Sequence, residues 1–249
     1  MRRTTTLMSQ ELTTYFQSPL AYILAALFLG IVSIMVYLHS GGFSYVSPKD
    51  TVAFMIMWSA IFMVIIAPIL TMRLLAGEKD SGAIEILVTD PVTDWDIVLG
   101  KFLAALLCLL AMVLPLFLYV VLFAMLRKPT DAPLDWGALV SGAVGLLCVL
   151  ALSAAIGLLA SSLTKNQVVS ALIGFVLLLG LWLAGALLPE VLGSWGAQWR
   201  EAAEALSLYS RLKSLLDGQL DLKSLFFYLS TTALALYLSV RAVESRKWR

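Results

Sequence analysis

Six long apolar runs, at roughly 20–38, 52–72, 97–126, 136–163, 167–188 and 223–241, dominate this 249-residue sequence. At 1.5 Å rise per residue, each run is long enough as a helix to cross about 30 Å of hydrocarbon. A chain built this way does not fold as a water-soluble globule. Hydrophobic residues make up 61% of it and charged residues 13%, against about 45–50% and about 25% in soluble domains. The runs are continuous rather than alternating, which excludes a membrane barrel. The first run reads as a true span and not a cleavable signal peptide. It begins too far from Met1, lacks a small-residue cleavage site and is followed at once by a second full-length run. The expected fold is an all-α integral membrane protein, one transmembrane domain over 1–249 with six transmembrane helices.

The central parts of these spans hold no Asp, Glu, Lys or Arg. Proton- and ion-coupled transporters place ionisable groups there, where they are costly and kept for function. Intramembrane enzymes need a nucleophile–base pair, paired aspartates or a metal cluster. No catalytic residue and no metal site is therefore expected. His39 is a lone histidine, and Cys108 and Cys148 lie within apolar runs as small hydrophobes. No G-x-x-x-x-G-K-[ST] phosphate loop occurs, so no enzyme is expected in this chain and no cofactor bound by it. Energy for uphill movement must come from elsewhere. A net charge of +1 gives no basic excess to suggest nucleic acid.

Loop charges set the orientation. Arg2, Arg3, Arg73, Lys79, Lys101, Lys165, Arg241 and the Arg246–Arg249 tail fall on one side. Lys49, Arg127, Lys128, Arg200, Arg211, Lys213 and Lys223 fall on the other. The bias puts both termini in the cytoplasm.

Four segments lie outside the spans. Residues 7–18 carry Glu11, with Tyr15 and Phe16 near helical spacing from Leu7, Met8 and Leu12, and Ser18-Pro19 breaks the pattern. They read either as an interfacial amphipathic helix or as a frayed extension of the first span. Residues 73–95 hold the densest charge. A helix there places Glu78, Gly82 and Glu85 on one face beside an apolar stripe of Ile84, Leu87 and Val88. Pro91 stops it, and Asp94 can cap the next span. A tight charged loop is the plainer reading. A short loop, Ser161 to Gln167, joins spans four and five. Residues 189–222 place Trp195, Trp199, Ala202, Leu206, Tyr209 and Leu216 opposite Arg200, Glu201, Glu204 and Arg211, as one or two amphipathic helices at the outer interface.

Glu78, Gly82, Glu85, Leu87 and Pro91, with Lys79 and Ile84 among them, closely resemble the coupling-helix motif of the ABC type-2 exporter permeases in order and spacing. Ala83 stands where Thr or Ser is usual. The loop residues Thr164, Lys165, Asn166 and Gln167 resemble the secondary ATPase contact of that family, particularly its gliding-motility-type (GldF-like) branch. The external segment 189–222 resembles that branch's re-entrant helices. The resemblance implies a permease subunit of an ATP-binding cassette exporter in a bacterial inner membrane. A cytoplasmic ATPase that carries ATP and Mg would grip the coupling helix. A second permease copy or a paralogue would complete the pathway, with membrane lipid around it. An extracytoplasmic auxiliary subunit is a further partner in the gliding-type branch. The alternative is an ATP-driven complex that remodels or matures a target without transport (NosY-like).

Two packing features complete the reading. Ser153, Gly157 and Ser161 form a small-residue stripe for close helix approach, within the chain or between subunits. Pro68 and Pro115 interrupt the second and third spans and permit kinks.

Overall fold

The computed structural model describes residues 2–40, 48–81, 93–126, 135–192, 205–219 and 221–245, which contain helices and no strand. In chain order these are α1 (Arg2–Gln17), α2 (Pro19–His39), α3 (Pro48–Thr71), α4 (Ala76–Ser81), α5 (Asp94–Val113), a 3₁₀ turn (Leu114–Leu116), α6 (Phe117–Leu126), α7 (Trp136–Leu163), α8 (Gln167–Leu192), α9 (Leu208–Leu216) and α10 (Leu222–Glu244). Among the described residues, six helical stretches are long and apolar enough to cross a membrane: α2, α3, α5 with α6, α7, α8 and α10.

Local chemistry explains most of the boundaries. Pro19 cannot accept a preceding helical residue easily, and Ser18 takes an extended conformation (φ −83°, ψ 120°). The chain therefore turns between α1 and α2, and α1 is not a continuation of the first span. α1 also starts at Arg2, five residues earlier than the periodicity suggests. Thr4 Oγ1 donates to Asp96 Oδ1 at 2.7 Å, a tertiary anchor that outweighs the weak helix propensity of the Thr4–Thr6 run. The N-cap of α5 is Thr93 rather than Asp94. Its hydroxyl accepts from the Asp96 N–H at 3.2 Å and donates to Asp96 Oδ2 at 2.6 Å, so Asp94 becomes the first helical residue. Both residue types cap well, and the extended backbone at Thr93 (φ −79°, ψ 151°) selects between them. Asp135 caps α7 and Asp221 caps α10 in the same way.

The two prolines differ in effect. Pro115 ends α5 in the 3₁₀ turn before α6 resumes. Pro68 sits inside an unbroken α3, whose last turn is braced by Thr71 Oγ1 donating to the Ala67 carbonyl at 2.8 Å.

α7 is the central helix, with α3, α5, α8, α9 and α10 packed around it. Its small-residue stripe faces α3. A Cβ added at Gly157 would lie 2.1 Å from Thr71 Oγ1, so the stripe serves packing within the chain. Because successive spans alternate in direction, the described N- and C-terminal residues share one end of the bundle. Thr4 meets Asp96 there, and the Trp95 ring lies 6.5 Å from that of Tyr237.

At the opposite end, α9 wedges against α7 and α8. It buries Leu208, Leu212, Leu215 and Leu216 while Tyr209 and Leu206 stay exposed. Of the apolar face expected for this segment, Leu216 is buried against α7, and Leu206 and Tyr209 lie on the exposed side. Gly142 and Gly145 leave room for the buried leucines: a Cβ at either would come within 2.9 Å of Leu216, Leu212 or Leu215 methyl carbons. Gly218, at φ +88°, ends α9 in the left-handed region, and its N–H donates to the Leu215 carbonyl at 3.2 Å. The expected partners Trp195, Trp199, Ala202, Arg200, Glu201 and Glu204 lie outside the described residues.

Candidate functional site

The turn between α3 and α4 must leave a long apolar helix and start a short polar one, and both helix ends have backbone groups to satisfy. Ser161, near the end of α7, supplies them. Its Oγ accepts from the Leu75 and Ala76 N–H groups at 3.0 and 2.9 Å and donates to the Met72 carbonyl at 3.0 Å. One hydroxyl thus seats the first turn of α4 on α7.

Lys79 answers in the other direction. Its ammonium is buried and donates to the Ser162 carbonyl, with the Ser161 carbonyl 3.5 Å away. These are orphan acceptors at the end of α7, where a cation also meets the negative end of the helix dipole. The N-terminus of α4 and the C-terminus of α7 therefore complete each other.

Glu78 faces a second partner. Lys101, two turns into α5 and 2% exposed, donates from Nζ to Glu78 Oε1 at 2.6 Å and also to Glu11 Oε1 of α1. One ammonium is shared by two carboxylates whose side chains are 22–23% exposed. Lys101, counted from the sequence among the loop charges, thus lies inside a spanning helix, two turns from its start. Burial of a lysine so near the apolar stretch is tolerable only because two anions meet it there. α1 gains two more ties. Tyr15 OH donates to the Leu70 carbonyl at 3.2 Å, and burial together with nearby Glu11 holds this phenol well above its ordinary pKa, so it keeps the donated proton. Gly100 lets α1 approach α5 closely, with a Cβ there 3.0 Å from Leu7 Cβ. Phe16 points outward and is exposed.

The loop after α7 is shaped by caps. Asn166 Oδ1 accepts from the Val168 and Val169 N–H groups at 2.9 and 3.3 Å, and Thr164 Oγ1 accepts from the Asn166 N–H at 3.1 Å. Lys165 is exposed. Gln167 lies beside α4, its side-chain nitrogen 3.3 Å from where a Cβ on Gly77 would be. Of the residues expected at this site, Glu11, Tyr15, Glu78, Lys79 and Gln167 are brought together. Gly82, Ile84, Glu85, Leu87 and Pro91 lie outside the described residues.

Sequence reasoning missed Lys101 as the hub and Ser161 as the clamp. Lys101 had a visible signal, since a solitary cation inside an otherwise apolar stretch calls for a counter-charge. Ser161 had none, because its partners are 85 to 89 residues away.

The model of the ABC-2 family transporter proteins matches residues 4–243, nearly the whole chain. The chain belongs to the ABC-2 transporter family. No curated protein matches it. Family membership and six apolar helices fit a multi-pass permease subunit, and membership implies in general a partner ATP-binding subunit.

Proposed function

We propose that this chain is the membrane-spanning subunit of an ATP-binding cassette exporter in a bacterial inner membrane, closest to the gliding-motility-type branch. It forms the pathway as a dimer, driven by a separate cytoplasmic ATPase. Both termini and α4 face the cytoplasm, and α1 lies in the interface. Residues 73–95 are the segment that the ATPase grips, with Thr164–Gln167 as the lesser contact.

The observation that carries this reading is the anchorage of α4. Ser161 holds the backbone at its start, the Lys79 ammonium reaches the last carbonyls of α7, and Glu78 reaches Lys101 of α5. A push on residues 78–91 is therefore delivered to α7 and α5 together, and through Glu11 to α1. ATP-driven closure of two ATPases would bring the two α4 segments together and tilt the spans to which they are fixed. The bundle needs no power source of its own in this scheme.

The test is recovery of an ATPase with the tagged chain, followed by substrate-stimulated ATP hydrolysis in the reconstituted complex. Replacing Glu78→Ala together with Gly82→Trp should abolish stimulation while the chain still assembles. Unchanged coupling in that double variant, or a tagged chain that brings down no ATPase, overturns the proposal.

A further inference from the structure

Among the described residues, three cations are drawn at least partly out of water: Lys79, Lys101 and Arg211. The first two are answered by oxygens of the chain, Lys79 by the last carbonyls of α7 and Lys101 by Glu11 and Glu78. Arg211 of α9 is different. Its Nε donates to the Ala205 carbonyl at 2.7 Å, and its guanidinium carbon lies 4.2 Å from the centre of the Phe227 ring of α10. These two contacts fix the plane of the group. They leave the N–H donors of both terminal nitrogens without an acceptor, and the charge without an ion pair, among the described residues. Asp221 favours the charged guanidinium from a distance but spends its oxygens on the N-cap of α10. They accept from the Lys223 N–H at 3.0 Å and the Ser224 hydroxyl at 2.9 Å. Burial is the leading influence on Arg211 and lowers its pKa, so the protein alone does not make good the solvation this charge has lost.

Depth decides which anion fits. Phe227 stands five residues inside α10, about 7.5 Å below its first residue along the helix axis. Leu222 and Phe226, apolar and outward on this first stretch, are 77% and 74% exposed. The hydrocarbon boundary of a bilayer therefore falls near the start of α10, and the guanidinium lies at or just beneath headgroup level. The anion that a bilayer carries there is the phosphodiester of its phospholipids. An arginine at such depth ordinarily bends its stem toward the headgroups. Here Ala205 and Phe227 hold it in place, and the anion comes to it. A guanidinium presents paired donors that match two phosphate oxygens. Below it, the same side of α10 continues through Thr231, Leu234 and Leu238, at i+4, i+7 and i+11 from Phe227, with both leucines exposed.

We infer that Arg211 and the adjoining side of α10 form a binding site for one phospholipid of the leaflet opposite α1, held by its phosphate. One acyl chain follows the Phe227–Leu238 track. The other charges of this connection, Lys213 and Lys223 against Asp217 and Asp221, cancel, so the headgroup beyond the phosphate is not selected. The site depends on the six helices crossing a bilayer and not on the coupling scheme.

The experiment places the full chain in nanodiscs of phosphatidylcholine and in nanodiscs of monogalactosyldiacylglycerol, a phosphate-free lipid, with the same acyl chains. In phosphatidylcholine, native mass spectrometry after gentle detergent release should find one lipid retained by the wild type. Its occupancy should fall about tenfold in Arg211→Leu and by less in Arg211→Lys, which keeps the charge but not the paired donors. The wild type should also melt higher in phosphatidylcholine than in the galactolipid, by a margin that Arg211→Leu closes and Lys49→Leu, at the same end of the bundle, does not. Millimolar inorganic phosphate in the galactolipid discs should not restore that margin. Equal occupancy in the wild type and in whichever of Arg211→Leu and Arg211→Gln folds overturns the inference, and so does restoration by free phosphate. An Arg211→Leu effect that disappears once Glu201→Gln and Glu204→Gln are also present overturns it too, because it gives Arg211 a carboxylate of its own chain.

Discussion

The two ends of this bundle differ in whether buried charge helps to hold them. At the α1 end, three spans and two short helices are joined by directed polar contacts: the Ser161 hydroxyl, the Lys79 ammonium and the Glu11–Lys101–Glu78 triad. At the opposite end, α9 is held by four buried leucines set against Gly142 and Gly145 and by two neutral hydrogen bonds, from Ser141 Oγ to the Leu215 carbonyl at 2.6 Å and from Tyr228 OH to the Leu208 carbonyl at 3.1 Å; the ion pair described there, Lys49–Asp135 at 3.4 Å, is about 45% exposed on both sides. Apolar packing is tolerant in direction and proportional to area, so it suits an end whose task is to close the bundle. Buried charged contacts are directional, like the neutral hydrogen bonds, and they fail more sharply than neutral ones when one partner is lost. On the proposed coupling scheme, the α1 end passes on a displacement and needs that property.

The largest expected effect breaks the triad. Glu11→Gln and Glu78→Gln singly leave Lys101 one carboxylate, whereas the double variant leaves a buried ammonium without an anion. The double variant should lose about 3–5 kcal/mol of stability, well beyond the sum of the singles. Adding Lys101→Met should recover much of that loss, since an uncharged triad has nothing to neutralise. Thermal unfolding of the detergent-solubilised variants checks both, and additive singles would show that the two carboxylates do not share the cation. Next in size is Gly157→Leu. Overpacking against Thr71 should cost about 1–3 kcal/mol or more and lower expression of folded protein, measured by fluorescence-detected size exclusion.

Ser161→Ala should cost about 1–3 kcal/mol by stranding two N–H groups at the start of α4. It should also raise hydrogen exchange at Leu75 and Ala76 without affecting α9. Smallest is Lys49→Ala at the opposite end, where an exposed pair contributes on the order of 0.5 kcal/mol or nothing measurable. A large loss there would erase the contrast between the ends.

The spans were legible because bilayer burial is decided by runs of about 20 neighbouring residues, and each of the six runs carries one helix of the bundle or, around Pro115, two. What the sequence concealed was any fact requiring two distant segments. The carboxylates that make Lys101 tolerable come from positions 90 and 23 residues away. The leucines that α9 buries could not be picked out from the sequence, because the recess that takes them is lined by Gly142 and Gly145 of α7, more than 60 residues away. Thr93 prevailed over Asp94 as a cap on backbone angle alone. Within the segment that holds Glu78 and Lys79, the sequence draws attention to both residues, but their partners on α5 and α7 carry no local pattern.

The contact between Thr71 and Gly157 restricts how this protein can move. With a hydroxyl nested where a methyl group would not fit, α3 and α7 cannot slide past one another by even part of a turn without first separating. They behave as a single plate. Widening of the proposed pathway would therefore fall to seams these two helices do not share, which makes the edges formed by α2 and α8 the places to put distance probes.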